Sequence, residues 1–280
     1  MNIVARQVPP RAAWALEQAG VHPLLARLFA ARGVQSHDEL DDGLSRLLPP
    51  AGLKGIDAAA RLLADAIGAQ QRICIVADYD CDGATACAVA LRGLRLLGAR
   101  QVDYLVPDRV VDGYGLTAPI AERVAARGAD LLVTVDNGIV AFKAALKAKE
   151  LSVNLVISDH HKPGDKKPDV LAIIHTAKMS GSGVAWFIVR ELNKIFNGDL
   201  DIDELLGLAA LGTVADQLPL LGINRSLVTH GIQALRKTSR PGILALCWVA
   251  HINQQDIGTY EINYILAPHI NAMGRLEHAL

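Results

Sequence analysis

The segment Ile73-Cys74-Ile75-Val76-Ala77-Asp78-Tyr79-Asp80-Cys81-Asp82-Gly83-Ala84-Thr85 constrains this chain more than any other. An apolar, β-branched run reads as a buried strand. It stops at three acids spaced two apart and then a glycine. If the chain stays extended through Asp82, alternate residues share a face, so Asp78, Asp80 and Asp82 converge. Carboxylates that close repel one another unless cations lie between them. Hard oxygen ligands suit Mg²⁺ or Mn²⁺. Gly83 permits a tight turn, and a helix from Ala84 would point its N-terminus at an anion.

Three other readings fit the same residues. Asp-x-Asp-x-Asp-Gly opens an EF-hand loop, but that loop needs an acidic twelfth ligand, where this sequence has Val89. Asp80-Cys81-Asp82-Gly83 is also similar to the nucleophile loop of haloacid-dehalogenase-like phosphatases, whose aspartate attacks phosphorus. The plainest reading is a solvated acidic loop after a buried strand.

The rest of the chain weighs against the plain reading. Strands are expected at Ile73–Ala77, Val102–Val106, Leu131–Val135, Leu155–Ser158 and Leu171–Ile174. Helices are expected between them near Ala84–Leu97, Thr117–Arg127 and Val140–Lys149. Continuous apolar strands alternating with helices predict an α/β fold, a parallel sheet flanked by helices. Ligands of such sheets bind off the carboxyl ends of the strands. Those ends carry Asp78-x-Asp80-x-Asp82, then Pro107-Asp108-Arg109, then Asp136-Asn137-Gly138, then Asp159-His160-His161. Four consecutive strands thus bring acids, histidines or an arginine to one edge. Asp136 before Asn-Gly is either a plain turn or a carboxylate bridging two cations. Of the adjacent histidines, one can bind metal while the other faces substrate, with Asp159 orienting one of them. Imidazole in a carboxylate site favours Mn²⁺ over Mg²⁺.

Residues 1–70 read as an N-terminal helical cap, with helices at Arg11–Ala19, Pro23–Ala31 and Asp57–Ile67. Asp57 is the expected N-cap of the last, and Pro49-Pro50-Ala51-Gly52 the break before it. Residues 71–280 read as the sheet domain, ending in a helical portion: Val184–Phe196, Asp203–Val214, Asn224–Leu235 and Pro241–Val249. Asp216 closes an apolar helix, either reaching solvent or serving as a further ligand. Arg275 is either a surface charge or a guanidinium clamp on phosphate.

The 280 residues are 51% hydrophobic and carry a net charge of -1, so any nucleic-acid contact must come from a local patch. The four cysteines form no C-x-x-C pair and read as reduced thiols of a cytoplasmic protein. Arg6 and Pro9-Pro10 stand where a secretory segment would be apolar. The longest apolar run, Leu205–Ala215, is too short for a bilayer, so no membrane association is expected.

The motifs above, joined by Gly212-Thr213-Val214-Ala215-Asp216 and Asn271-Ala272-Met273-Gly274-Arg275-Leu276, resemble in residues and order the DHH phosphoesterase superfamily. Within it they are similar to the RecJ branch of single-stranded-DNA exonucleases. The resemblance implies a two-metal 5′-to-3′ exonuclease of DNA repair and recombination, using Mn²⁺ or Mg²⁺ with single-stranded DNA as partner. It implies metal ligands Asp78, Asp80, Asp82, Asp136, His160 and Asp216, with Asp136 as the bridge. His161 would lie by the scissile phosphate, and Arg109 and Arg275 would hold phosphates. Two departures stand out. The stretch from His161 to Gly181 is compact, and the family's second domain, with its glycine-rich motif, and an OB-fold are not recognisable. The chain therefore reads as a catalytic half. Two alternatives remain: a small-substrate phosphatase or oligoribonuclease of the same superfamily, and a catalytically weak nucleic-acid-binding fragment.

Overall fold

A computed structural model describes residues 4–43, 53–198 and 200–276; the side chains of residues 275 and 276 and the Pro49–Gly52 break lie outside that description. Five strands form one sheet in the order β2-β1-β3-β4-β5. They are β1 (Ile73–Ala77), β2 (Val102–Leu105), β3 (Leu131–Val135), β4 (Asn154–Asp159) and β5 (Ala172–His175). Every pairing is parallel, with Ile73 opposite both Val102 and Leu131, Leu131 opposite Asn154, and Val156 opposite Ala172. β1 and β3 are buried along their whole length, as expected of strands covered on both faces. The chain leaves β1 toward β2 on one side and later returns to β3 on the other. This reversal opens a crevice at the carboxyl ends of β1 and β3.

On one face, α5 (Ala118–Ala126) and α6 (Phe142–Glu150) bury Ile120, Val124, Ala144 and Ala148 against Val76, Leu132 and Ile157. On the other lie α3 (Ile56–Gly68), α4 (Cys81–Leu96) and α7 (Gly181–Ile195). Helix α8 (Asp203–Ala215) packs on α4 and α7 and is buried from Leu205 to Val214. Its apolar residues run all round, as in a helix enclosed by protein. Then follow α9 (Ile223–Lys237), α10 (Pro241–Val249), α11 (Thr259–Glu261), a π-helical turn (Ile262–Leu266) and α12 (Ala267–Leu276).

Residues 1–48 with 219–227 form one compact unit, and residues 49–218 with 228–280 another. In the first, α1 (Pro10–Gln18) and α2 (Pro23–Ala30) enclose Leu16, Ala26, Ala30 and Val34, with Leu221 packed beside them. Helix α3, which reads in sequence with these helices, packs against α7 and β5 in the second unit.

Two local expectations are corrected. Asp57 lies in the first turn of α3, and the cap is Gly55 at φ 86°. A side chain there would overlap the Ile173 carbonyl, so only glycine fits. The chain also does not stay extended through Asp82: β1 ends at Ala77 and α4 begins at Cys81. Asp80 is the N-cap, its Oδ1 accepting the Gly83 N–H at 2.9 Å. Gly83 is therefore helical, and its lack of a side chain lets the Asp78 carbonyl pack against it.

Among the described residues no helix is long and apolar enough to cross a membrane. All four cysteines are buried and unpaired.

Candidate metal centre

The acids of the β1–α4 turn diverge in their jobs once the helix starts early. Asp78 is buried, its Oδ1 accepting its neighbour's Tyr79 N–H at 2.8 Å. Asp82, in the first turn of α4, is buried and points at the N-terminus of α7. Its Oδ2 accepts the Gly181 N–H at 2.6 Å and its Oδ1 the Ser182 N–H at 3.0 Å. A helix N-terminus favours such an anion. Small residues make this contact possible: a side chain on Gly212 of α8 would overlap Asp82 Oδ1 and Ser182 Oγ, and one on Gly181 would overlap Asp136.

Asp136 follows β3 at φ 64°, a left-handed conformation that a non-glycine residue adopts at a cost. Asn137 holds the turn. Its Nδ2 donates to the Val76 and Val135 carbonyls at 3.1 and 2.9 Å, and its Oδ1 accepts the Leu116 N–H at 3.1 Å. The Asp136-Asn137-Gly138 stretch is thus a built feature tying β1 to β3.

From β4, His160 Nε2 lies 2.9 Å from Asp136 Oδ1, 3.6 Å from Asp216 Oδ2 and 3.8 Å from Asp82 Oδ2. Asp159 turns away from this cluster. Its Oδ1 meets His161 Nδ1 at 2.8 Å and its Oδ2 accepts the Ile139 N–H at 2.8 Å. That fixes His161, whose Nε2 lies 3.1 Å from the Tyr114 hydroxyl. The two imidazoles nevertheless stay side by side, ring centres 4.6 Å apart. Adjacency alone did not drive them to opposite sides, because the strand ends at Asp159, before both of them.

Ligand atoms converge in three overlapping sets, each within 4.8 Å: Asp78, Asp80 and Asp136; Asp82, His160 and Asp216; and Asp136, His160 and His161. All six residues expected as ligands fall in the first two sets. Asp136 recurs in two of the three, which suits a bridging carboxylate. Arg109 stands beside this cluster, its guanidinium 5.3 Å over the Tyr79 ring. A cavity of about 370 Å³ joins them, lined by Asp78, Tyr79, Asp80, Arg109, Tyr114, His161 and Asn271. The backbone of Arg275 belongs to α12, and its side chain lies outside the described residues.

The electrostatics of the cluster are those of acids lacking counter-charge. Burial, with Asp80 next, pushes the Asp78 carboxyl up to about 7. Burial, then Asp82 and Asp80, brings Asp216 to about 7 as well. Asp136 is pushed well above the carboxylate range by burial and then by Asp82 and Asp80. Burial raises Asp82 too, against the hydrogen bonds from Ser182. Burial lowers His160, keeping its imidazole neutral and able to ligate. His161 is raised, first by its hydrogen bond to Asp159. Asp136 Oδ1 is buried and, although His160 Nε2 lies 2.9 Å away, it accepts no hydrogen bond. An orphaned carboxylate oxygen amid repelling acids and a neutral imidazole is the environment that divalent cations with oxygen and nitrogen preferences fill.

Tyr114 and Asn271 escaped sequence reasoning as site residues. Tyr114 is flanked by Gly113 and Gly115, both at positive φ, a signal of a turn rather than of a site. Asn271 precedes the more conspicuous Arg275 in the same motif.

The chain matches the DHH family, N-terminal domain, over residues 72–213. It is 40% identical over 279 residues to the single-stranded-DNA-specific exonuclease RecJ of Salmonella typhimurium, covering 92% of this chain and 48% of that protein. With the RecJ of Bacillus subtilis the identity is 38%, over 94% of this chain and 34% of the relative. The chain thus spans about half the length, or less, of the curated relatives it matches. Among solved structures, Thermus thermophilus RecJ in complex with Mn²⁺ aligns over 96% of this chain and 40% of its own, with a TM-score of 0.81 at 32% identity. An exonuclease RecJ bound to manganese aligns over 81% of this chain and 59% of its own, with a TM-score of 0.75 at 35% identity. Site geometry, motif order and these matches agree, and the chain belongs to the DHH family.

Proposed function

We propose that this chain forms the metal-bearing catalytic portion of a single-stranded-DNA exonuclease that removes nucleotides 5′-to-3′ in DNA repair and recombination, in the cytoplasm. The observation that carries the reading is Asp136, held at a strained φ with a buried, unbonded oxygen between two ligand sets. The RecJ relatives, two of them solved with manganese, support the substrate class and the metal.

Asp78, Asp80 and Asp136 would hold one Mn²⁺ or Mg²⁺. Asp136, Asp82, His160 and Asp216 would hold a second, with Asp136 shared. Bound there, the ions would acidify an attacking water and neutralise charge developing on the phosphate. Asp82 can ligate through lone pairs not used by the Gly181 and Ser182 N–H groups, so the α7 N-terminus sets its orientation. His161, with Nδ1 fixed by Asp159, presents Nε2 to the cavity, where it can donate a proton to the departing oxygen. Arg109 lines the same cavity and can pair with a phosphate, as Arg275 would from α12. No protein nucleophile is required. The N-terminal helices of residues 1–70 would serve as a cap, and residues 71–280 as the catalytic domain.

The test is a nuclease assay with Mn²⁺, Mg²⁺ or chelator on single- and double-stranded DNA labelled at either end. The expected result is metal-dependent release of 5′-terminal nucleotides from single strands. Equal degradation of both substrates, or activity undiminished by chelator, would refute the assignment.

A further inference from the structure

Asn271 is the residue that α12 contributes to the cavity beside the acid cluster. Its Oδ1 accepts the Cys81 N–H at 2.7 Å. That N–H is the first of α4, one of the donors a helix leaves without an internal partner. A backbone N–H can only donate, so the amide oxygen must face Cys81 and the NH₂ must face the other way. Among the described residues no hydrogen bond occupies that NH₂. One turn on, a Cβ at Gly274 would lie 3.0 Å from the Tyr79 carbonyl, so α12 touches the turn between β1 and α4 at a second point.

We propose that Asn271 is a two-sided residue. Its carbonyl fixes the N-terminus of α4, and with it Asp80 in the ligand set. Its NH₂ donates to a phosphoryl oxygen of a nucleotide seated between Arg109 and His161. The second half rests on the nuclease reading; the first does not. Asn271→Asp keeps an acceptor for Cys81 but turns a carboxylate oxygen toward the phosphate. Asn271→Ala removes both contacts.

Two probes separate the halves: Mn²⁺ alone, followed by electron paramagnetic resonance, and thymidine 5′-monophosphate with Mg²⁺, followed by calorimetry. Thermal melts establish that each variant is folded. Loss of one charge-assisted hydrogen bond predicts thymidine monophosphate binding weaker by about tenfold or more in both variants. Mn²⁺ binding is expected to weaken several-fold in Asn271→Ala and to be no weaker than wild type in Asn271→Asp. Undiminished nucleotide binding by Asn271→Asp overturns the donor role. Undiminished Mn²⁺ binding by Asn271→Ala overturns the positioning role. If the unaltered protein binds neither probe, the nuclease reading fails, and the donor role with it.

Discussion

Withdrawing divalent ions should make this fold sensitive to pH in an unusual direction. Asp78 is 3% exposed, and its carboxyl is pushed from 3.8 to about 7, mostly by burial and then by Asp80. A folded-state value above the unfolded one means the metal-free native state holds its proton more tightly. The associated stability is complete below pH 3.8, falls as pH rises toward 7, and is lost above it. At about 1.4 kcal/mol per pH unit, the interval corresponds to about 4 kcal/mol from Asp78 alone. Asp136 and Asp216 shift the same way and deepen the slope. For a chain of this size each kcal/mol moves the melting temperature by about 2–4 °C. The metal-free protein should therefore melt on the order of 10 °C lower at pH 8 than at pH 5. Mn²⁺ should restore most of that loss at pH 8 and little at pH 5, because ions bind the ionised acids. Calorimetry in chelator, with and without added Mn²⁺, measures it, and Asp78→Asn isolates the group by flattening the profile. A wild-type minus Asp78→Asn difference that does not change between pH 5 and pH 8 would refute the electrostatic argument.

Other expectations follow from the same geometry. Asp136→Asn should abolish Mn²⁺-dependent hydrolysis in the end-label assay while raising the metal-free melting temperature at pH 8, since it removes a buried charge. Gly212→Ala forces a methyl into Asp82 Oδ1 and Ser182 Oγ, so it should cost about 1–3 kcal/mol in chemical denaturation and weaken Mn²⁺ binding in parallel. Asn137→Asp sets an acceptor against the Val76 and Val135 carbonyls and should destabilise by about 3 kcal/mol or more, with β1 and β3 amides losing hydrogen-exchange protection. A long 5′-phosphorylated single strand should turn over faster than a dinucleotide; the opposite order would favour a small-substrate phosphatase.

Local pattern carried the sheet. The strands stand within a residue or so of where runs of Ile, Val and Leu put them, because a strand buried on both faces leaves an uninterrupted apolar signature. The parallel arrangement follows from the helices between them, and with it the gathering of acids and histidines at one edge. That edge rule brought Asp78, Asp80, Asp82, Asp136 and His160 into view; Asp216 stood out only as an acid closing an apolar helix, and the resemblance joined it to them. What sequence could not decide was the use of each group, since that depends on partners distant in the chain. Asp78, Asp80 and Asp82 look equivalent by spacing. Asp80 caps α4 locally, through the Gly83 N–H three residues on, whereas only packing shows that Asp82 is gripped by N–H groups 99 and 100 residues away. Likewise Asp159 differs from its neighbours only because Ile139 and the His161 ring claim its oxygens. Periodicity records which face a residue buries. Hydrogen bonds between elements far apart in sequence leave no period, so tertiary structure alone decided which carboxylates remain open for cations.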